Sequence, residues 1–175
     1  MYRLSQQVFI DREDFAEVHA KGFFGLTPEQ PVCLKYGPVV RLMEIVKGPH
    51  GEIDRIKVEA LPEFKEKLKG YIHWVSKEHS IDVELRLYNY LFDCEIVEDE
   101  TWEQHINPHS LVVKANAKVW SALETAKVFD RFQFERLAYF VVDRDSRTEK
   151  AGGKLVFNRI VELKESKEKK INLGK

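Results

Sequence analysis

The chain has 175 residues, of which 43% are hydrophobic and 33% charged, enough length for one medium domain or two small ones with a real core. A formal net charge of −1 excludes nucleic-acid binding driven by overall charge, so any such binding must come from local clusters of Lys and Arg. No apolar run approaches the roughly 20 residues of a membrane span. With two cysteines, Cys33 and Cys94, and no signal-like start, the sequence reads as a reduced, cytoplasmic chain with both thiols free.

In chain order, strand-like segments dominate. "QQVFI" leads into "DREDFAEVHAKG", where Asp11 as N-cap, Asp14 three residues on and Gly22 as stop predict a short helix. "PVCLKYGPVVRLMEIV" reads as two strands broken at Gly37-Pro38, and "KGPHGE" as the turn of a hairpin with "IDRIKVEA". A polar loop, "LPEFKEK", precedes the strands "LKGYIHWVS" and "IDVELRLYNYLF". After Phe92 the acidic "DCEIVEDETWEQ" reads as a loop or helical turn, "SLVVKANAKVW" as a strand and "SALETAKVFD" as a short linker helix or turn. Two long strands follow, "DRFQFERLAYFVVD" and "GKLVFNRIVELKE", joined by "RDSRTEKAGG" as a hairpin loop. The tail, 166–175, is charged and predicted to be mobile. Many short strands without βαβ alternation predict a mainly β protein of barrel or sandwich type, with units at 1–92 and 93–165.

Few residues suggest chemistry of their own. His105 and His109 are separated by Pro108, which argues against a helical metal pair. "AGGK" lacks phosphate-loop spacing and reads as a hairpin turn. No GxSxG, HExxH or paired-carboxylate context is present, so nothing indicates a self-contained enzyme. His73 and Trp74 read as core or barrel-seam residues. The segment "RFQFERLAYF" alternates with a period of two. One face carries Phe132, Phe134, Ala138 and Phe140, with Arg136 interrupting it. The other carries Arg131, Gln133, Glu135, Leu137 and Tyr139: either a solvated face or hydrogen-bonding groups aimed at something flat and polar. Arg159 and Lys164 likewise read either as a solvated face or as phosphate contacts.

Four stretches in register, "VFIDREDF", "YIHWVS" followed by "VELRLYNYLF", "FDRFQFERLAYF" and "KLVFNRIVELKE", with "INPHSLVV" between, resemble the C-terminal anticodon-binding region of glutaminyl-tRNA synthetases, particularly of eukaryotic type. The resemblance covers about residues 3–165. It implies two β-barrels related to a ribosomal 5S-RNA-binding protein, 1–92 complete and 93–165 the returning part of the second, lacking its first strands and leaving an exposed edge. It implies a parent ligase that joins glutamine to tRNA(Gln) with ATP and Mg²⁺. The HIGH-like and KMSKS-like motifs of its catalytic half do not occur here, so this stretch is expected to bind RNA without aminoacylating it and to hold no cofactor or metal.

Matched residue by residue, the resemblance gives Gln133 and Glu135 the reading of the middle anticodon uridine. An amide offers donor and acceptor together, and a carboxylate accepts the uridine N3–H. As neighbours on one strand face, both could converge on one base. A helping Arg lies upstream of the matched region. The first base would be read near "VCLKY", where Cys33 and Lys35 stand in positions often held by Arg. Lys35 keeps a charge without the planar fork, and Cys33 replaces a donor, which would suit acceptance of both C and U. The third base would lie near Phe23 and Phe24, where Phe24 and Gly25 stand in place of Lys and Arg, and the two rings offer stacking faces or core. Arg136, Arg159 and Lys164 are the candidates for the RNA backbone. Expected partners are tRNA(Gln), the catalytic half and a multi-synthetase assembly, with no membrane. The rival readings are a glutamyl-tRNA synthetase domain and a β-barrel module binding protein or ribosomal RNA.

Overall fold

A computed structural model describes residues 4–95 and 101–163. The fold is mainly β, as the sequence predicts, with helical structure confined to short 3₁₀ turns among the described residues. The strands form sheets, and among the described residues none closes into a barrel. The chain divides into two compact units, up to Ser80 and from Ile81 onward. The sequence sets its boundary at residue 92, where the pattern turns acidic and loop-like, while the strand "IDVELRLY" before it is hydrogen-bonded into the second of these units.

The first unit holds β1 (Val8–Ile10), β2 (Val32–Leu34), β3 (Val39–Lys47), β4 (Ile53–Ala60), β5 (Tyr71–Ile72) and β6 (Trp74–Ser76). β1 pairs with β6, and the other four form a sheet in the order β4-β3-β2-β5. The predicted β3–β4 hairpin forms. Its register places Arg41 opposite Glu59 and Glu44 opposite Lys57, ion pairs of 2.7 and 2.6 Å that favour this alignment over a slipped one. Phe15, Leu26, Val32, Leu34, Val40 and Ile72 form the buried core, with Trp74 packed against it as the seam reading expected.

The predicted helix over 11–22 does not form. Only Arg12–Asp14 make a 3₁₀ turn, and Asp11 gives it no side-chain cap. The backbone here bonds across to a second segment instead of along a helix: Leu26 N–H donates to Asp14 O at 2.8 Å and Ala16 N–H to Leu26 O at 3.1 Å. Burial of Phe15 beside Leu26 outweighs the local capping signal.

The second unit holds β7 (Ser80–Tyr88), β8 (Leu111–Trp120), β9 (Arg131–Phe134), β10 (Ala138–Val142) and β11 (Leu155–Glu162), in one sheet ordered β8-β7-β11-β10-β9. β11 runs parallel to β7 and antiparallel to β10. Lying between two strands, it buries Leu155, Val156 and Phe157 in succession. The core gathers Val83, Val119, Ala126, Ala138, Phe140, Val142, Leu155 and Phe157. β9 is the edge strand at one end.

Two readings of this region are corrected. "DRFQFERLAYFVVD" is not one strand: the chain reverses at 135–137, with Leu137 N–H donating to Phe134 O at 3.0 Å and Ala138 facing Phe134. The predicted core face survives because the reversal keeps the parity. Phe134 stacks on Phe140 at 4.6 Å, and Phe132 meets Phe157 edge-on at 6.0 Å. Arg136 interrupts that face in sequence only, since it lies in the turn. In β11 the strict alternation after Asn158 is broken. Tyr139 faces Val161 and Phe140 faces Arg159, so Ile160 bulges out and Ile160 and Val161 are both exposed.

Candidate nucleic-acid interface

The β9–β10 hairpin sets the geometry of the second unit's polar face. Gln133 is exposed on β9, directly opposite Tyr139 on β10, which is 42% exposed. Directly opposed residues project to the same side of a sheet about 5 Å apart, so an amide and a phenol ring stand side by side. Glu135 follows in the turn, half-buried, and is not on a strand face with Gln133 as expected. Arg136 is exposed at φ 66°, the left-handed position that the third residue of a type II turn adopts. Thus Gln133, Glu135 and Arg136 gather at one hairpin tip, with Tyr139 as a neighbour the sequence reading did not single out. The sequence gives no sign of it, because the three-residue turn 135–137 that sets residue 139 against 133 holds no glycine, asparagine or proline.

Arg159 is placed otherwise. Its guanidinium donates to Tyr88 O and Asn89 Oδ1, both at 2.7 Å, and pairs with Glu162 at 2.6 Å, with the side chain 14% exposed. It ties β11 to the end of β7, which leaves its expected part as a phosphate contact without support. Lys164 lies outside the described residues, as does the 166–175 tail.

In the first unit, β2 runs into a turn over Leu34–Gly37, closed by Gly37 N–H to Leu34 O at 2.6 Å. Tyr36 takes the left-handed position at φ 63° and stands exposed, with the Lys35 ammonium 5.2 Å from its ring centre. Lys35 is half-buried and fixed by its backbone: its N–H donates to Ile72 O, and its carbonyl accepts from Trp74 Nε1 at 2.8 Å. The Cys33 thiol turns back on this turn, toward Leu34 O and Gly37 O. Burial pushes its pKa up, so it stays a neutral thiol, a weak donor. Sequence reading missed Tyr36, because a non-glycine residue in the left-handed region has no sequence signature of its own.

Phe23 and Phe24 differ. Phe23 is half-buried, and Phe24 is 61% exposed and open to stacking. Gln30, buried, holds the segment by donating from Nε2 to Gly25 O at 2.9 Å and Phe23 O at 3.3 Å. Phe24 O also packs tightly on Gly70.

The register places a charged network on the same face of the sheet as Gln133. Arg86 on β7 bonds Glu84 at 2.7 Å and Asp145 at 2.8 Å, with Asp143 at 3.7 Å, and is 17% exposed. The hydrogen bond with Asp145 pushes its pKa up, against desolvation and together with Glu84. Burial raises the Asp143 carboxyl, but the Asp145 N–H, the Asn158 amide and the Arg86 charge outweigh it and hold the pKa below its ordinary value. Elsewhere, Asp93, Cys94 and His105 bring ligand atoms within 4.8 Å of one another, with His105 Nδ1 3.1 Å from Asp93 Oδ1. The sequence weighed His105 only with His109 and could not see this grouping, which a bridge between Phe92 and Ile106 creates. Among the described residues no helix is long and apolar enough to cross a membrane.

Comparison with known proteins bears on the family of the chain. Residues 71–143 match the family described as tRNA synthetases class I (E and Q), anti-codon binding domain. The chain is 43% identical over 168 residues to a glutamine–tRNA ligase of Lupinus luteus, covering 93% of this chain and 21% of that protein. It is 39% identical over 169 residues to a probable glutamine–tRNA ligase of Dictyostelium discoideum, covering 94% and 21%. It is 41% identical over 177 residues to a glutamine–tRNA ligase of Ralstonia pickettii, covering 94% and 30%. The chain therefore spans a fifth to under a third of the length of these relatives. Plant, amoebal and bacterial sequences match about equally, so identity does not single out the eukaryotic type. The chain belongs to the anticodon-binding domain family of the class I tRNA synthetases for glutamate and glutamine, on the glutamine side of that family.

Proposed function

We propose that this domain binds tRNA(Gln) and reads its anticodon, with the β9–β10 hairpin receiving the middle uridine. The observation that carries the reading is the pairing of exposed Gln133 with exposed Tyr139 on an edge strand, beside the Arg136 turn. The Gln133 amide presents the donor and acceptor that a uridine edge needs, and the Glu135 carboxylate accepts N3–H. Arg136 supplies a phosphate contact at the tip. In the first unit, Lys35 and Tyr36 offer charge and a stacking face to the first anticodon base, with Cys33 contributing only a weak donor. Phe24 offers a stacking face to the third base, and half-buried Phe23 supports it. Arg159 acts inside the sheet.

The parent protein would be a glutamine–tRNA ligase that uses ATP and Mg²⁺ through a catalytic half not present in this sequence. Anticodon contacts here would favour productive placement of the acceptor end there. A cytoplasmic setting follows from that role, and a multi-synthetase assembly is a further possible partner of the same parent. The glutamate-specific reading is not favoured, since the relatives named above are glutamine–tRNA ligases.

Titration of tRNA(Gln) transcripts bearing each middle base tests this. Wild type should prefer uridine, and Gln133→Ala should lose most of that preference, a change of about 1 kcal/mol for one hydrogen bond. Equal affinity for all four bases in wild type would sink the reading.

A further inference from the structure

Phe129 is a bulky residue in a position built for glycine. Asp130 N–H donates to Lys127 O at 3.0 Å, closing a turn whose third residue, Phe129, has φ 72°. Phe129 N–H then donates to Val142 O while Val142 N–H donates to Asp130 O, so two residues oppose one. This is a bulge whose first residue is left-handed, the place where glycine is ordinarily found. A bulky side chain there is a genuine outlier. Its ring is nevertheless not spent on the core, being 54% exposed.

The surroundings hold this ring in place. Arg147 donates to Ala126 O at 3.1 Å and to Glu124 O, stapling the segment that leads into the turn. The Asp130 carboxylate accepts from Lys127 N–H at 2.9 Å. The Arg144 guanidinium lies 5.1 Å from the Phe129 ring centre. The carboxylates on either side of Arg144, Asp143 and Asp145, are engaged with Arg86, and Asp143 also feels the Arg144 charge. An exposed cation–π contact is worth less than the left-handed backbone costs a bulky residue, so that contact alone does not account for Phe129. The first unit repeats the arrangement in Tyr36 and Lys35.

We propose that Phe129 and Arg144 form a second RNA contact: an unpaired nucleotide stacks its base on the Phe129 ring while Arg144 holds an adjoining phosphate. Phe129 lies four positions before Gln133, at most about 13 Å of extended chain leading into β9, so one single-stranded loop can reach both. The inference rests on the tRNA reading above and extends the contact surface along the edge strand toward its start.

The test uses the 175-residue chain and tRNA(Gln) transcripts, reading affinity, salt dependence and thermal unfolding. Phe129→Leu, which keeps apolar bulk but removes the π face, should weaken binding about tenfold. Phe129→Tyr should bind as wild type. Phe129→Gly should also weaken binding about tenfold, while unfolding at the same or a higher temperature, because glycine relieves the left-handed backbone. Arg144→Gln should lower the slope of log affinity against log salt by about one. Wild-type affinity in Phe129→Leu overturns the inference, as does an affinity loss in Phe129→Gly that merely tracks unfolding. If Phe129→Leu is silent while wild type still selects a middle uridine, only this inference falls. If wild type does not bind the transcript, both fall.

Discussion

The first unit closes where the backbone of one segment presses against another at glycine, while the second closes around a cation held between carboxylates. At Gly70 a Cβ would lie 1.8 Å from Phe24 O, and at Gly25 one would lie 2.3 Å from Asp14 O. Such contacts let short strands and irregular loops share a small core of six buried residues. The second unit has a larger apolar core and longer strands, and adds Arg86 with Glu84, Asp143 and Asp145 on the loop side of its sheet. The contrast predicts that the first unit will tolerate changes of charge better than of backbone bulk, and the second the reverse. The presentation of candidate RNA contacts differs as well: the first unit offers aromatic faces on tight turns, the second a polar strand edge with the Arg86 network on the same face of its sheet.

The largest expected effect tests the charged half of that contrast. Arg86→Ala leaves three carboxylates together and partly buried, which should cost about 3–5 kcal/mol. Single-tryptophan variants keeping Trp74 for the first unit or Trp120 for the second would separate the responses. The second unit should unfold at markedly lower denaturant, with the first unchanged. Coincident shifts would mean that the two units do not hold their stability separately.

Gly70→Ala tests the other half. The added methyl has backbone on its far side, so no side chain can turn away, and overpacking should cost about 3 kcal/mol in the first unit. Unchanged Trp74 unfolding would break the comparison.

Acid should sharpen it. The folded pKa of Asp143 lies below its ordinary value of 3.8, so its contribution is fully present above that value and is lost as pH falls below it, through the depressed pKa. The second unit should therefore lose stability below about pH 3.8 more steeply than Asp143→Asn does over the same window. Parallel acid curves for the two proteins would remove Asp143 from the account.

Legibility in the sequence followed the same division. Hairpin β3–β4 was readable because Lys47–Glu52 carries turn residues between two alternating runs. The four aromatic and small residues of the second core, Phe132 to Phe140, were readable by parity even though the strand assignment was wrong. The reversal at Glu135–Leu137 was hidden because its left-handed residue is Arg136, and neither glycine, asparagine nor proline marks it. Tyr36 and Phe129 were hidden for the same reason. The helix at 11–22 was over-read because capping residues are local signals, and pairing of Phe15 with Leu26 is not. Of the candidate site, Gln133 was legible through the resemblance. That Arg159 is consumed by Tyr88, Asn89 and Glu162 could be seen only once β7 and β11 were side by side.

The smallest expected effect isolates what the hairpin tip sacrifices. Arg136 sits at φ 66°, where an L-residue loses about 1–2 kcal/mol relative to its ordinary conformations. Glycine avoids that cost but adds about 0.5–1 kcal/mol of unfolded-chain entropy. Arg136→Gly should therefore leave the second unit about 0.5–1 kcal/mol more stable by denaturant titration. If Arg136 also meets a phosphate, the same variant should bind tRNA(Gln) more weakly and with a salt slope reduced by about one, equally for every middle base. A gain in stability with unchanged binding would assign Arg136 to neither reading nor positioning, and would leave Gln133, Glu135 and Tyr139 as the whole of the hairpin's contribution.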